Sequence, residues 1–252
     1  MNGPVPLPRR LLAEFTGTAL LVTVVVGSGI AAQTLSPDDV GLQLLENSTA
    51  TVLGLGVLIL LFGPVSGAHF NPVVSAADWL LGRRRGTGIG AGHVASYTVA
   101  QTSGGIVGAV LANVMFDRQV FEIATKHRIT TGHLAGEVVA TAGLIALIFA
   151  LARTGRGALS AAAVAAYIGA AYWFTSSTSF ANPAVTIGRI FSDSFAGIAP
   201  SSAPGFIAAQ ILGGLIGLAL VVALYPDAAA SADDVVTPHR PDTDHADQRS
   251  SS

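Results

Sequence analysis

The chain has 252 residues, 51% of them apolar and only 11% charged, with 13 basic and 15 acidic side chains for a formal net charge of −2. That balance argues against nucleic-acid binding, and the absence of cysteine excludes a disulfide framework or a thiolate metal site. A chain this apolar has the composition of a membrane protein, with glycine concentrated in the apolar runs as expected where helices pack closely in lipid.

The first predicted span covers residues 11–32, behind Arg9 and Arg10. It is long for a signal-peptide core, carries Glu14 and precedes five further apolar runs, so it reads as a retained helix. A second span covers 47–65. Then comes Ser66-Gly67-Ala68-His69-Phe70-Asn71-Pro72-Val73, opening a short helical run over 72–82. Asn is a strong cap and Pro is favoured at the first helical position, so Asn71-Pro72 reads as a helix start. Such a start inside a membrane is expensive unless it lines a cavity. Spans over 91–113, 133–152 and 158–177 follow, with a connecting loop over 114–132. A second box, Ser179-Phe180-Ala181-Asn182-Pro183-Ala184-Val185, opens another short run over 183–192, and the last span covers 203–225. Ten helical residues make about 15 Å, half of a hydrocarbon core of about 30 Å, so the two short runs would meet end to end as one broken helix. From 226 to 252 the sequence turns polar without periodicity. A disordered tail is expected there, with His239 and His245 solvated rather than metal-binding.

Basic residues set the orientation. Arg9, Arg10, Arg83, Arg84, Arg85, Arg153 and Arg156 all fall on one side, which the positive-inside rule makes cytoplasmic. The other side carries Arg118, Lys126 and Arg128 mixed with Asp117 and Glu122, and Arg189 near the end of the second short run. An inner-membrane protein with both termini cytoplasmic is expected.

The chain also repeats itself. Ala100-Gln101-Thr102-Ser103-Gly104-Gly105 in span three matches Ala209-Gln210-Ile211-Leu212-Gly213-Gly214 in span six, and spans one and four each carry a lone carboxylate, Glu14 and Glu137. The halves, 1–113 and 133–225, hold three spans and one half-helix apiece. An odd number of spans means that the second half is inserted upside down. The expected fold is all-α: six transmembrane helices plus two re-entrant half-helices in an inverted repeat, the architecture of a solute pathway.

Two helix starts at the midplane would aim unpaired N–H groups and positive dipole ends into the cavity, a barrier to cations and hydronium. Asn71 and Asn182 would cap their helices through the side-chain oxygen and leave the amide NH₂ free to donate to a neutral solute. One Asn-Pro step alone merely begins a turn or helix; the paired boxes in a repeat carry the inference.

On these residues the sequence resembles the aquaporin and glycerol-facilitator family over 9–225. The resemblance implies a homotetramer with one pore per subunit, no cofactor, and Glu14 and Glu137 bracing the re-entrant loops by accepting backbone hydrogen bonds. The competing view of the two carboxylates is a proton relay, but no third ionisable group lies in the spans.

The chain departs from the family pattern in two places. The first box has Val73 where alanine is usual, adding two methyls beside the constriction. After the second box, Val185 stands where family members usually have a filter arginine. Counting back without gaps puts the other outer-filter positions at Thr51, Ala170 and Ser179, giving a filter expected to be wide and nearly uncharged. The expected solutes are then glycerol-like polyols, urea-like amides or neutral metalloid acids such as arsenous acid, with water; the resemblance adds that some bacterial members lacking this arginine are tied to arsenic resistance. Arg189, one turn beyond Val185, either reaches back to restore charge or pairs with Asp193 or loop carbonyls. His69 either lines the inner vestibule or braces its loop. His93 and His133 read as interfacial, and Trp79, Tyr172 and Trp173 as interface anchors or packing.

The alternatives are a water-selective aquaporin, a coupled secondary transporter, an intramembrane enzyme and an adhesive protein. A transporter needs carboxylates near the broken helices, where Asp78 alone comes within two turns of a box. No catalytic pairing and no metal-ligand spacing appears within the spans, so no catalytic residue and no metal are expected. The partners expected are small neutral solutes, water and the lipid bilayer, with no nucleic acid.

Overall fold

The computed structural model describes residues 5–83 and 86–226. Arg84, Arg85 and the tail from 227, including His239 and His245, lie outside the described residues. Within them there is no strand, and the helices are α1 (Leu7–Leu35), α2 (Val40–Ser66), α3 (Pro72–Gly82), α4 (Ala91–Met115), α5 (Thr131–Arg153), α6 (Ser160–Phe174), α7 (Pro183–Gly188) and α8 (Ala203–Leu224). A 3-10 turn, Gly157–Leu159, leads into α6, and another, Arg189–Phe191, continues α7. Among the described residues six helices are long and apolar enough to cross a membrane, the fifth counted with its leading 3-10 turn.

Local chemistry sets the starts. Asp39 caps α2 by accepting from Leu42 N–H at 2.9 Å, and Thr130 caps α5 by accepting from His133 N–H at 3.1 Å. The fifth span ends at Phe174 rather than 177, because Thr175 turns extended (φ −108°, ψ 139°) to enter the second box. The first two helices outrun the predicted 11–32 and 47–65 at both ends, since helical hydrogen bonding continues where the sequence has already turned polar.

Two helix pairs are built alike. Gly104 and Gly108 of α4 lie against the Phe15 and Ala19 carbonyls of α1, and Gly213 and Gly217 of α8 lie against the Val138 and Ala142 carbonyls of α5. A Cβ at any of the four would strike a carbonyl oxygen. Close backbone approach of this kind is how helices associate in lipid, where apolar burial gives no drive. Thr23 tightens the first pair by donating to Gly108 C=O at 3.0 Å. α2 packs on α6, while α3 and α7 sit between α4 and α8. The outward faces of α2 (Leu53, Val57, Leu60) and α8 (Ile211, Leu212, Leu215) are exposed and apolar, as lipid contact requires.

Candidate functional site

The segments ahead of the two boxes share one backbone pattern. Ala68 and Phe70 have φ of 47° and 49°, and Ser179 and Ala181 have φ of 49° and 48°. Each pair stands three and one residues before its asparagine. Left-handed backbone at such residues costs on the order of 1 kcal/mol or more apiece. A buried carboxylate behind each loop offsets this. Glu14 accepts from the backbone N–H groups of His69 (3.0 Å) and Phe70 (2.7 Å), the Ser66 hydroxyl (2.6 Å) and the Gln101 amide (2.7 Å). Glu137 accepts from the N–H groups of Phe180 and Ala181, both at 2.9 Å, and from the Gln210 amide at 2.6 Å.

The two asparagines then face each other. Asn71 Oδ1 accepts from Val73 N–H at 2.9 Å, and its Nδ2 donates to Ala181 C=O at 2.7 Å. Asn182 Oδ1 accepts from Ala184 and Val185 N–H at 3.0 and 3.3 Å, and its Nδ2 donates to Phe70 C=O at 2.7 Å. One hydrogen of each amide is therefore committed to the opposite loop, and one remains for a molecule in the cavity.

That cavity is a narrow space of about 70 Å³ with Asn71 and Asn182 in its wall. Its flanks are apolar, from Leu21, Val25, Leu55, Ile59, Val74, Leu144 and Ile148. Near the mouth formed by the 116–130 and 192–202 connections it is lined by Thr51, Tyr172, Ser179, Val185 and Arg189. His69 also lines it, with Nδ1 3.0 Å from Ser75 Oγ and its ring packed on Tyr97, so it both borders the cavity and braces its loop.

The mouth is held by cations. Lys126 Nζ donates to Phe195 C=O at 3.3 Å, Arg128 Nη2 to the same carbonyl at 2.9 Å, and Arg128 Nε to Gly197 C=O at 2.8 Å. Arg189, 1% exposed, donates through Nε to Ala196 C=O, and its guanidinium lies 3.4 Å from the Phe180 ring centre. Asp193 instead accepts from Thr125 N–H at 2.9 Å, so it is not the partner of Arg189. Burial, then the nearby Arg128 and Arg189 charges, lowers Lys126 to about 8, and burial lowers Arg128 to about 10.

Comparison with known proteins follows the same lines. A family model described as Major intrinsic protein matches residues 4–179. The chain is 47% identical over 217 residues to "Aquaglyceroporin AqpS" of Rhizobium meliloti (strain 1021), covering 85% of this chain and 89% of that one. The chain belongs to the major intrinsic protein family. Over 174 residues it is also 30% identical to "Propanediol uptake facilitator PduF" of Citrobacter freundii, spanning 60% of this chain and 62% of that one. Among solved structures, the aquaglyceroporin from Plasmodium falciparum superposes with a TM-score of 0.67 over 89% of this chain and 100% of its own, at 17% identity, a likeness of fold.

Set against the outer-filter positions counted for a major intrinsic protein, Thr51, Ser179 and Val185 lie on the cavity wall and Ala170 does not. Ala170 is exposed on the far face of α6. Ile168 and Tyr172, two residues either side, take the inward face, and Tyr172 Oη lies 3.2 Å from Thr51 Oγ1. The ungapped count crossed the irregular segment 175–178, where helical register is lost. The signal for Tyr172 was its i+4 spacing from Ile168 on the buried side of α6. The expectation of a nearly uncharged filter is corrected as well, because Arg189 stands on the wall.

Other members of the boxes point elsewhere. Pro72, Val73 and Pro183 line a separate apolar groove of about 440 Å³ bordered by α3, α4, α7 and α8. Val73 Cγ1 fills the space left by Gly214, so its two extra methyls lie outside the pore. Ala184 is buried with its carbonyl against Gly105. Trp79 lies beneath the Arg83 guanidinium, 5.5 Å from its ring centre, and Trp173 donates its indole N–H to Ser48 Oγ at 3.2 Å. His133 Nδ1 lies 2.7 Å from the Arg128 carbonyl.

Proposed function

We propose that this chain forms a homotetrameric inner-membrane channel for glycerol, urea and neutral metalloid acids such as arsenous acid, with water. Its family makes it a multi-pass membrane channel for water and small neutral solutes, and not an enzyme. The observation that carries the reading is the reciprocal pair Asn71–Ala181 and Asn182–Phe70 at the centre of a narrow, mostly apolar cavity. Each amide offers one remaining N–H, enough to guide a hydroxyl or carbonyl oxygen, and a water oxygen that accepts both cannot pass a proton along the file. The relatives' printed names, an aquaglyceroporin and a propanediol uptake facilitator, support solutes larger than water.

In this reading residues 1–113 and 133–225 are inverted repeats joined by the extracellular loop 114–132, and the tail from 226 is cytoplasmic. Asn71 and Asn182 of the two boxes form the central constriction, with Pro72 and Pro183 starting the half-helices behind them, Thr51, Tyr172, Ser179 and Val185 line the outer filter, and Glu14 and Glu137 brace the loops. Both termini are cytoplasmic, on the side of Arg9, Arg10, Arg83, Arg153 and Arg156.

The test is stopped-flow light scattering on proteoliposomes with water, glycerol, urea and arsenous acid. Facilitated flux of glycerol and arsenous acid is expected; flux no faster than through protein-free liposomes for every solute would refute the channel. Val185→Arg is expected to suppress solute flux relative to water, and unchanged glycerol and arsenous acid uptake in that variant would remove the idea of a wide filter. A strictly water-selective pore is the second reading, favoured by Tyr172 and Arg189 on the wall, and the same assay separates the two.

A further inference from the structure

We infer that the outward groove between α4 and α8 seats one acyl chain of an anionic glycerophospholipid from the cytoplasmic leaflet, with the headgroup phosphate on Arg83. The inference rests on the membrane orientation given above and goes beyond solute conduction.

The groove is a product of the half-helices. α3 and α7 lie between α4 and α8 and hold them apart, and small residues such as Ala76 and Gly214 leave the gap hollow. Apart from the Thr98 and Thr102 hydroxyls its wall is apolar, and Ile211 and Leu215 at its rim are exposed. It passes behind Pro72 and Pro183 and runs along α3 to Leu80. Beyond Leu80 and Leu218 a more open space of about 430 Å³ continues it to Arg83. The eleven residues of α3 make about 16 Å, the depth of one leaflet in a hydrocarbon core of about 30 Å.

Each end of the groove specifies part of the occupant. At the midplane there is no water to wet an outward-facing hollow, and an unfilled one forfeits dispersion contacts, so an alkyl chain takes it. A peptide would bring backbone polar groups that this wall cannot satisfy. At the other end Arg83 is exposed, with its guanidinium 5.5 Å from the Trp79 ring centre, and among the described residues no carboxylate pairs with it. The planar fork of an arginine matches phosphate oxygens, and its fixed charge favours an anionic headgroup over a zwitterionic one. An alkyl chain one leaflet long that ends in a phosphate is a phospholipid.

Native mass spectrometry tests this on the full-length assembly in detergent, titrated with phosphatidylglycerol and with phosphatidylcholine of the same acyl chains. Wild type is expected to hold phosphatidylglycerol the more tightly. Arg83→Gln should weaken that lipid about fivefold, the scale of one basic residue at a membrane surface, and leave phosphatidylcholine unchanged. Arg156→Gln removes an equal charge from another exposed position on the same side and should behave as wild type. Equal losses in the two variants would mean diffuse attraction and overturn the site. Ala76→Phe fills the groove and should weaken both lipids; unchanged binding of both in an assembled variant overturns the acyl-chain seat. A changed subunit number with lipid binding intact would give the groove to a second copy of the chain and overturn it too. Glycerol 1-phosphate carries the phosphate without the chain and should not displace the lipid; displacement would make this a site for free phosphate esters and overturn the inference. If Ala76→Phe does not assemble, the two arginine variants decide. Glycerol flux through the same wild type in liposomes tests the channel separately: flux without lipid preference overturns this inference alone, and lipid preference without flux overturns the channel alone.

Discussion

Glu14 and Glu137 show how much one side chain can organise in a place without water. Each carboxylate accepts two backbone N–H groups of a left-handed loop and an amide from the helix behind it. A neutral amide at the same place would present an NH₂ to those donors. Glu137→Gln is therefore expected to destabilise the protein by about 2 kcal/mol or more, the scale of hydrogen bonds to a charged group. Thermal unfolding in detergent measures it, and a wild-type midpoint would show that the carboxylate braces nothing. Val73 gives the opposite expectation. Its methyls pack over Gly214 outside the pore, so Val73→Ala should leave glycerol flux unchanged while costing about 1 kcal/mol of stability through the packing lost there. An altered glycerol flux would place the side chain back in the pathway. The asparagine caps were legible in the sequence because a cap answers to its next three residues. Tyr172 was not, because its meeting with Thr51 depends on how far α6 runs before the chain breaks.

The two half-helices differ as elements. α3 runs eleven residues from Pro72, whereas α7 runs six from Pro183 before tightening into a 3-10 turn. What seats α7 is the backbone of α4: Gly105 meets the Ala184 carbonyl, and Gly188 meets the Gly105 carbonyl. Gly105→Val is expected to push α7 off α4 at a cost of about 2 kcal/mol, with solute flux falling as Val185 and Arg189 move with it. A variant with normal stability and flux would show that this seat is dispensable. Hydropathy and the Asn-Pro steps made these elements readable in order and nearly in extent. The 3-10 turn at Arg189–Phe191 was not readable, since it answers to distant partners: Ile198 N–H donates to Arg189 C=O at 3.3 Å and Asn113 Nδ2 to Phe191 C=O at 2.8 Å.

Across the whole molecule, apart from the buried Glu14, Asp78 and Glu137, charge is gathered at the ends. At the mouth, Lys126, Arg128 and Arg189 hold the carbonyls of Phe195, Ala196 and Gly197. Lys126 loses its proton at about 8 in the folded chain, below its ordinary 10.5, so the unfolded chain binds that proton more tightly. Stability should therefore rise as pH increases from about 8 towards 10.5 and show no contribution from this group below 8. Solvent still reaches Lys126, which keeps the slope shallow. Unfolding midpoints across that window measure it, and Lys126→Met should flatten the rise; an equal slope in the variant would assign it to other groups.

The crossed amide bonds also govern how the protein comes into being. Asn71 finds its carbonyl 110 residues later in the chain, and Phe70 waits 112 residues for its donor. A nascent chain that has inserted its first three spans therefore has no finished aperture. Its first re-entrant loop must wait, capped but unlatched, until the ribosome has delivered the second. The two loops can latch only once residue 182 has been made, with α8 still to follow.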